Sequence, residues 1–227
     1  MLNKHLPFGD IMRKTVIIFD LDGTILNTDE LIIKSFRHVY DTYLPEYPIT
    51  MEEIMIFLGP PLSVSFSKDF KGDMVNKCID EYGVYNRAHH KDYVTLYEGE
   101  KEALRELKDM GYPLAVFTTK RNDIALYGLE LFGLSDYFDA FVGGDDVTHV
   151  KPDPEGITMI KEFTKTKEAV MVGDNASDLM AGKNAKALTV GVNWSPKGTK
   201  HLEVCEPDLM MSHFNDLVEF VKMNKLP

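Results

Sequence analysis

Two carboxylates one residue apart, in Asp20-Leu21-Asp22-Gly23-Thr24, are the densest piece of potential chemistry in this 227-residue sequence. In extended backbone, residues i and i+2 point to the same side, so Asp20 and Asp22 can face one substrate. Gly23 permits a sharp turn directly after them. So close a pair divides its work. A carboxylate held as the anion by a cation can act as a nucleophile, while one kept off that cation can carry a proton to a leaving group. The structural alternative is a polar strand-to-helix turn in which either aspartate caps a helix.

Three other segments repeat the arrangement of an apolar run ending in polar side chains. Leu114-Ala115-Val116-Phe117 runs into Thr118-Thr119-Lys120, which places hydroxyls and fresh backbone N–H groups at a strand exit. Asp145-Asp146-Val147 is followed by Lys151-Pro152-Asp153-Pro154, a lysine fixed by a proline-bounded turn before a helix. Ala169-Val170-Met171-Val172 ends in Gly173-Asp174-Asn175-Ala176-Ser177-Asp178, with Asp174 at the exit and Asp178 in the first helical turn. Each has a structural alternative: Thr118 as a helix cap, Lys151 as a solvated surface charge, Asp174 or Asp178 as a partner of the helix dipole. Together they assemble two carboxylate pairs, a hydroxyl and a lysine at one edge of one predicted sheet. That set suits phosphoryl transfer. Asp20 and Asp174 offer hard oxygen ligands for Mg²⁺, and Lys151 with Thr118 can hold the equatorial oxygens of a phosphoryl group.

The elements that must position these residues alternate. Thr15–Phe19 is a continuous β-branched run, joined by Leu114–Phe117, Ala140–Val142, Ala169–Val172 and Leu188–Val192. Helical patterns ending at Gly111, Gly133 and Gly182 lie between or after them, and Phe214-Leu217-Val218-Val221 closes the chain. This predicts an α/β fold, a Rossmann-like parallel sheet covered on both faces. Residues 28–96 break the rhythm with helical stretches around 28–43, 51–57, 62–70 and 73–91, punctuated by Pro45, Pro48 and Gly59-Pro60-Pro61. A block this long is no ordinary loop. The expected organisation is a core of residues 12–27 and 97–227, an inserted all-helical cap at 28–96, and an N-terminal extension at 1–11. Leaving after the first strand, the insertion lies over the carboxyl ends of the strands, where open α/β sheets place ligands.

Composition narrows the partners. Thirty-six Asp and Glu against 25 Lys and Arg give a net charge of −11, which supplies no basic field to gather nucleic acid or an anionic membrane surface. Cys78 and Cys205 form no redox-like or metal-like pair, there is no apolar run long enough to span a bilayer, and the N-terminus lacks the apolar stretch of a signal peptide. A cytoplasmic enzyme acting on a small phosphorylated substrate is the expectation.

The ordered set Asp20-x-Asp22-Gly-Thr, Thr118, Lys151-Pro and Gly-Asp174-x-x-x-Asp178 resembles the haloacid dehalogenase superfamily of phosphatases, and the insertion resembles its small helical cap class. The likeness runs through essentially the whole chain from about Thr15. It implies that Asp20 forms an aspartyl-phosphate and that Asp22 acts as general acid and then general base. It assigns the transferring phosphoryl group to Thr118, with Thr119 beside it, and to Lys151. It gives Mg²⁺ to Asp20, the backbone carbonyl of Asp22 and Asp174, with Asp178 ligating directly or through a water. Asp22 favours the phosphatase and phosphomutase branches over the dehalogenase, phosphonatase and P-type ATPase ones. Thr24 to Ile33, Phe57 to Pro60, Val116 to Lys120 and Val172 to Asn175 resemble the PpaX-type inorganic pyrophosphatases, neighbours of the phosphoglycolate phosphatases.

The resemblance makes Gly59 and Pro60 part of a specificity loop facing the nucleophile; a plain helix–helix turn is the alternative. Lys34, Arg37, Lys120 and Arg121 are candidate cations for the far end of an anionic substrate, each with a solvated surface charge as its simpler reading. His89-His90 is read as a helix-end feature, since no third ligand sits at metal spacing, and Trp194 as packing. Three functions compete. The first is a Mg²⁺-dependent phosphohydrolase on a small anionic substrate, inorganic pyrophosphate or phosphoglycolate. The second is a sugar-phosphate mutase like β-phosphoglucomutase, against which the Phe57–Leu62 loop speaks. The third is a phosphate-binding module, for which a proton donor at Asp22 would be superfluous.

Overall fold

The computed structural model describes residues 14–224 and 226, so the expected extension at 1–11 and the start of the core at 12 lie outside the described residues. The first strand, β1 (Thr15–Phe19), is wholly buried and stops where Asp20 begins the polar loop. A two-residue strand, β2 (Leu26–Asn27), leads into four helices: α1 (Asp29–Tyr43), α2 (Met51–Phe57), α3 (Leu62–Phe66) and α4 (Asp73–Tyr93). A second two-residue strand, β3 (Thr95–Leu96), pairs antiparallel with β2, Leu26 opposite Leu96, and ties together the two crossings between helical block and sheet. From there the chain alternates: α5 (Glu100–Asp109), β4 (Leu114–Phe117), α6 (Asn122–Leu131), a 3₁₀ turn at Ser135–Tyr137, β5 (Ala140–Val142), α7 (Glu155–Thr164) and β6 (Glu168–Gly173). It ends with α8 (Ala176–Asn184), β7 (Leu188–Val192), α9 (Lys200–Glu203), β8 (Leu209–Met211) and α10 (Phe214–Asn224).

Six strands form one parallel sheet in the order β5-β4-β1-β6-β7-β8, the expected α/β class. Alternation sorts their side chains to two faces. Ile17, Phe19, Val116, Val170 and Val172 pack with Leu104, Leu107, Leu217 and Val221 of α5 and α10. Val16, Ile18, Ala115, Phe117 and Met171 pack with Ile157, Ile160 and Ala181 of α7 and α8. Such double burial is why the strands read as unbroken apolar runs. The helical block has its own core, in which Phe36 contacts Phe57, Phe66 and Tyr82 at centroid distances of 5.1, 5.3 and 5.1 Å. Thr50 and Glu53 close a reciprocal capping box at the start of α2, the arrangement that satisfies two otherwise orphan N–H donors. Cys78 and Cys205 are both free thiols, and no described helix is long and apolar enough to cross a membrane.

Glu100 opens α5 almost fully buried, accepting a hydrogen bond from the Tyr97 N–H at 3.2 Å. Burial outweighs that bond and pushes its carboxyl up to about 8. The folded state therefore keeps a proton that the unfolded chain releases near the ordinary value of 4.5, and this group's contribution to stability declines as pH rises from there to about 8. Glu100→Gln removes that share of the pH dependence. In urea titrations it gains on the order of a few kcal/mol over the parent between about pH 5 and pH 8.

Candidate active site

The strand register brings the polar residues together. Phe19 stands opposite Val116 on one side and Val172 on the other, so the exits of β4, β1 and β6 open side by side. The Asp20 N–H donates to the Val172 carbonyl at 2.8 Å, and the Thr118 N–H donates to the Val142 carbonyl at 3.0 Å. At these exits Asp20, Thr118, Lys151, Asp174 and Asp178 are all buried, in a molecule whose charges otherwise lie mostly at the surface.

Lys151 binds the cluster together. Its ammonium donates to Asp20 Oδ1 at 2.6 Å, to Asp178 Oδ1 at 2.6 Å and to the Phe117 carbonyl at 3.0 Å. Burial alone would lower its pKa, but Asp178 and Asp20 outweigh burial and hold the lysine charged. Asp178 also accepts from the Asn175 N–H at 2.9 Å, so it closes the start of α8 and belongs to the cluster at once; the two readings of this residue are compatible. Asp174 accepts from Asn175 Nδ2 at 2.7 Å, while its backbone carbonyl accepts from His201 Nε2 at 2.9 Å.

Carboxylate oxygens of Asp20, Asp174 and Asp178 all lie within 4.8 Å of one another. Burial, with Lys151 pulling the other way, raises the Asp20 carboxyl to about 7; burial likewise raises Asp174 well above the usual carboxylate range, Lys197 opposing. Three buried acids sharing one fully buried ammonium are short of positive charge. Among the described residues, the one cation paired with Asp174 is Lys197, at 4.0 Å. A hard divalent cation with oxygen preference fits this donor set.

Asp22 stands apart from that cluster, its carboxylate accepting from Lys120 Nζ at 2.8 Å. Directly after the two aspartates the chain turns at Gly23, with φ +78°, where a Cβ would lie 2.8 Å from Asp174 Oδ2; only glycine allows that approach. The Gly23 carbonyl accepts from Tyr97 Oη at 3.2 Å and from Trp194 Nε1 at 3.0 Å, and the indole stacks on Phe214 at 5.4 Å. Trp194 thus packs as expected and also fixes the loop that follows Asp20 and Asp22. The Thr118 hydroxyl accepts from the Lys120 N–H at 3.1 Å.

The helical block closes over these groups. Thr119 Oγ1 donates to the Gly59 carbonyl at 3.2 Å, so this hydroxyl is engaged with the covering loop. Lys197 Nζ donates to the Leu58 carbonyl at 3.0 Å and to Asn175 Oδ1. Gly59 has φ +111° and its Cβ position falls against the Asn175 amide, which explains a glycine there. Beneath the loop is a cavity of about 570 Å³ lined by Asp20, Asp22, Thr118, Thr119, Lys151 and Asp174 on one side and by Gly59 and Pro60 on the other.

Of the candidate distal cations, Lys120 and Arg121 line the cavity. Lys34 and Arg37 do not line it: Lys34 pairs with Glu30 at 3.6 Å and Arg37 is exposed, because α1 turns Leu31, Phe36, Val39 and Tyr40 inward. His90 is buried at the base of α4, three residues before that helix ends. Lys197 and Asp29 escaped the sequence reading. Lys197 sits in a Pro-Lys-Gly loop with no strand exit to flag it, and Asp29, its carboxyl raised to about 6 chiefly by burial, looks like an ordinary first-turn acid.

Comparison with known proteins agrees with this geometry. Residues 17–192 match the family described as haloacid dehalogenase-like hydrolase. The chain is 41% identical over 210 residues to "Pyrophosphatase PpaX" of Listeria monocytogenes, covering 92% of this chain and 96% of the relative. It is 42% identical over 217 residues to the protein of the same name from Bacillus cereus, covering 94% and 100%. The crystal structure of a predicted phosphoglycolate phosphatase from Haemophilus somnus superposes with a TM-score of 0.81 at 25% identity, covering 91% of this chain and 97% of that one. The fold, the convergent carboxylates and these likenesses lead to one conclusion: the chain belongs to the haloacid dehalogenase-like hydrolase family and is an enzyme of its phosphatase kind.

Proposed function

We propose that this chain is a Mg²⁺-dependent phosphohydrolase that works through an aspartyl-phosphate on Asp20, with residues 28–96 as a cap over the site. The observation that carries the reading is the division of the carboxylates. Asp20, Asp174 and Asp178 share one buried cluster with Lys151, while Asp22 faces the cavity outside it. Asp20, the Asp22 carbonyl and Asp174 would hold Mg²⁺, with Asp178 ligating directly or through a water. When bound, the cation would neutralise the repulsion between an anionic nucleophile and an anionic phosphate. An Asp20 oxygen attacks phosphorus as the bond to the leaving oxygen breaks, and Asp22 delivers a proton to that oxygen. Asp22 then takes a proton from the water that splits the acyl-phosphate, returning Asp20 and inorganic phosphate. Lys151 and the Thr118 hydroxyl hold the equatorial oxygens, and closure of the Gly59–Pro60 loop excludes bulk water.

The PpaX relatives favour inorganic pyrophosphate as a substrate, and Lys120 and Arg121 are the cavity-lining cations that can meet its second phosphoryl group. Phosphate release from pyrophosphate is the test. Removal of Mg²⁺ by chelation lowers turnover by about a thousandfold or more, and added Mg²⁺ restores it. Undiminished turnover in chelator, or no release from pyrophosphate or any phosphate monoester, overturns the reading.

A further inference from the structure

The far wall of the cavity is of a different character from its floor. Ile32, Phe57, Leu62, Val64 and Ile79 of the helical block line it, and Ile124 of α6 meets them from below. Val64 is 63% exposed, an apolar side chain at the cavity lined by other apolar ones. Among the described residues, no lysine, arginine or histidine between 28 and 96 lines the cavity; the one charged residue contributed from that stretch is Asp29, an acid. The cations that line the cavity, Lys120, Arg121 and Lys151, all lie on the sheet side, where Lys120 pairs with Asp22 and Lys151 with Asp20 and Asp178. A second phosphate or a carboxylate reaching this wall would meet hydrocarbon and an aspartate. The volume, about 570 Å³, is of the size that drug-sized organic ligands occupy, about 300–1,000 Å³, and exceeds what two phosphoryl groups fill.

We propose that, among phosphate monoesters, the enzyme favours those with a longer apolar leaving group, n-alkyl phosphates whose hydrocarbon body packs on the wall formed by the helical block while the phosphoryl group sits at Asp20. This rests on the phosphohydrolase reading of the same site. The chemistry is unchanged: the phosphorus–oxygen ester bond breaks, the alkoxide takes its proton from Asp22, and water supplies the oxygen that leaves with phosphate.

The test is a series of n-alkyl phosphates from ethyl to octyl, assayed with Mg²⁺ beside pyrophosphate and phosphoglycolate. The expected kcat/KM climbs about two- to fourfold per added methylene until the cavity is full, as burial of each methylene predicts. Ile79→Lys, which sets a cation in the wall, flattens that climb and shifts preference toward pyrophosphate. Val64→Ser, at an exposed position that threatens the fold little, lowers the ratio of hexyl to ethyl phosphate kcat/KM severalfold. A flat series with pyrophosphate still hydrolysed overturns the apolar-substrate inference and leaves the phosphohydrolase intact. No release from any compound, pyrophosphate included, overturns both.

Discussion

Asp20→Asn releases phosphate at least about 10⁴-fold more slowly than the parent chain, the scale of loss when a nucleophile that acts as part of a unit is removed, and it keeps its fold. The amide has the shape of the carboxylate and still accepts from Lys151, but its oxygen is too weak a nucleophile to form an acyl-phosphate. Removing this carboxylate also relieves a cluster whose buried acids are pressed together, so the variant is as resistant to urea as the parent or more so. That separates a catalytic role from a structural one. Mass spectrometry supplies the second half of the test. Asp22→Asn, deprived of its base, accumulates the mass of one phosphoryl group on the peptide containing Asp20. Turnover by a verified Asp20→Asn protein would rule out the covalent route.

Lys151→Met has the opposite balance, damaging fold and activity together. Methionine matches the length of the stem, but Asp20 and Asp178 lose the ammonium that each contacts at 2.6 Å in a buried setting. Breaking a buried pair from one side costs about 3–5 kcal/mol because the remaining charge is left uncompensated. The loss is greatest at pH 8 and shrinks toward pH 5, because the Asp20 carboxyl, already raised to about 7 by burial, takes up a proton as pH falls. Mg²⁺ stabilises the variant more than the parent. Turnover drops about a thousandfold with the loss of a cation aimed at the phosphoryl oxygens. Urea midpoints across pH, with and without Mg²⁺, check the prediction, and equal stability of variant and parent at pH 8 would refute it.

Much of this architecture could be read directly from residue order, and the reason is physical. Strands buried on both faces leave unbroken apolar runs, and at four of the five predicted strands the polar residue that follows marks the exit. Asp20, Thr118 and Asp174 were legible because each sits at such an exit. Strand β8 was not: Leu209-Met210-Met211 is three residues long, without a β-branched side chain, and forms the sheet edge beside β7. The β2–β3 ladder is only two residues on each side, too short for any periodicity. Lys197 illustrates the other kind of blindness. Its contacts are with a backbone carbonyl 139 residues away and with Asn175, and nothing in Ser195-Pro196-Lys197-Gly198 announces them. Lys34 and Arg37 show that charge alone misleads when helix phase turns it outward. The apolar cavity wall was invisible for the same reason, since residues of four helices contribute to it and each reads as core.

Trp194 is the chain's single indole, and its N–H is bonded to the Gly23 carbonyl, in the turn that directly follows Asp20 and Asp22. A fluorophore is thereby wired to the loop that carries both carboxylates. Emission excited selectively at this one ring is expected to change when Mg²⁺ or a phosphate compound enters the pocket, which rapid mixing of unlabelled protein with either one checks.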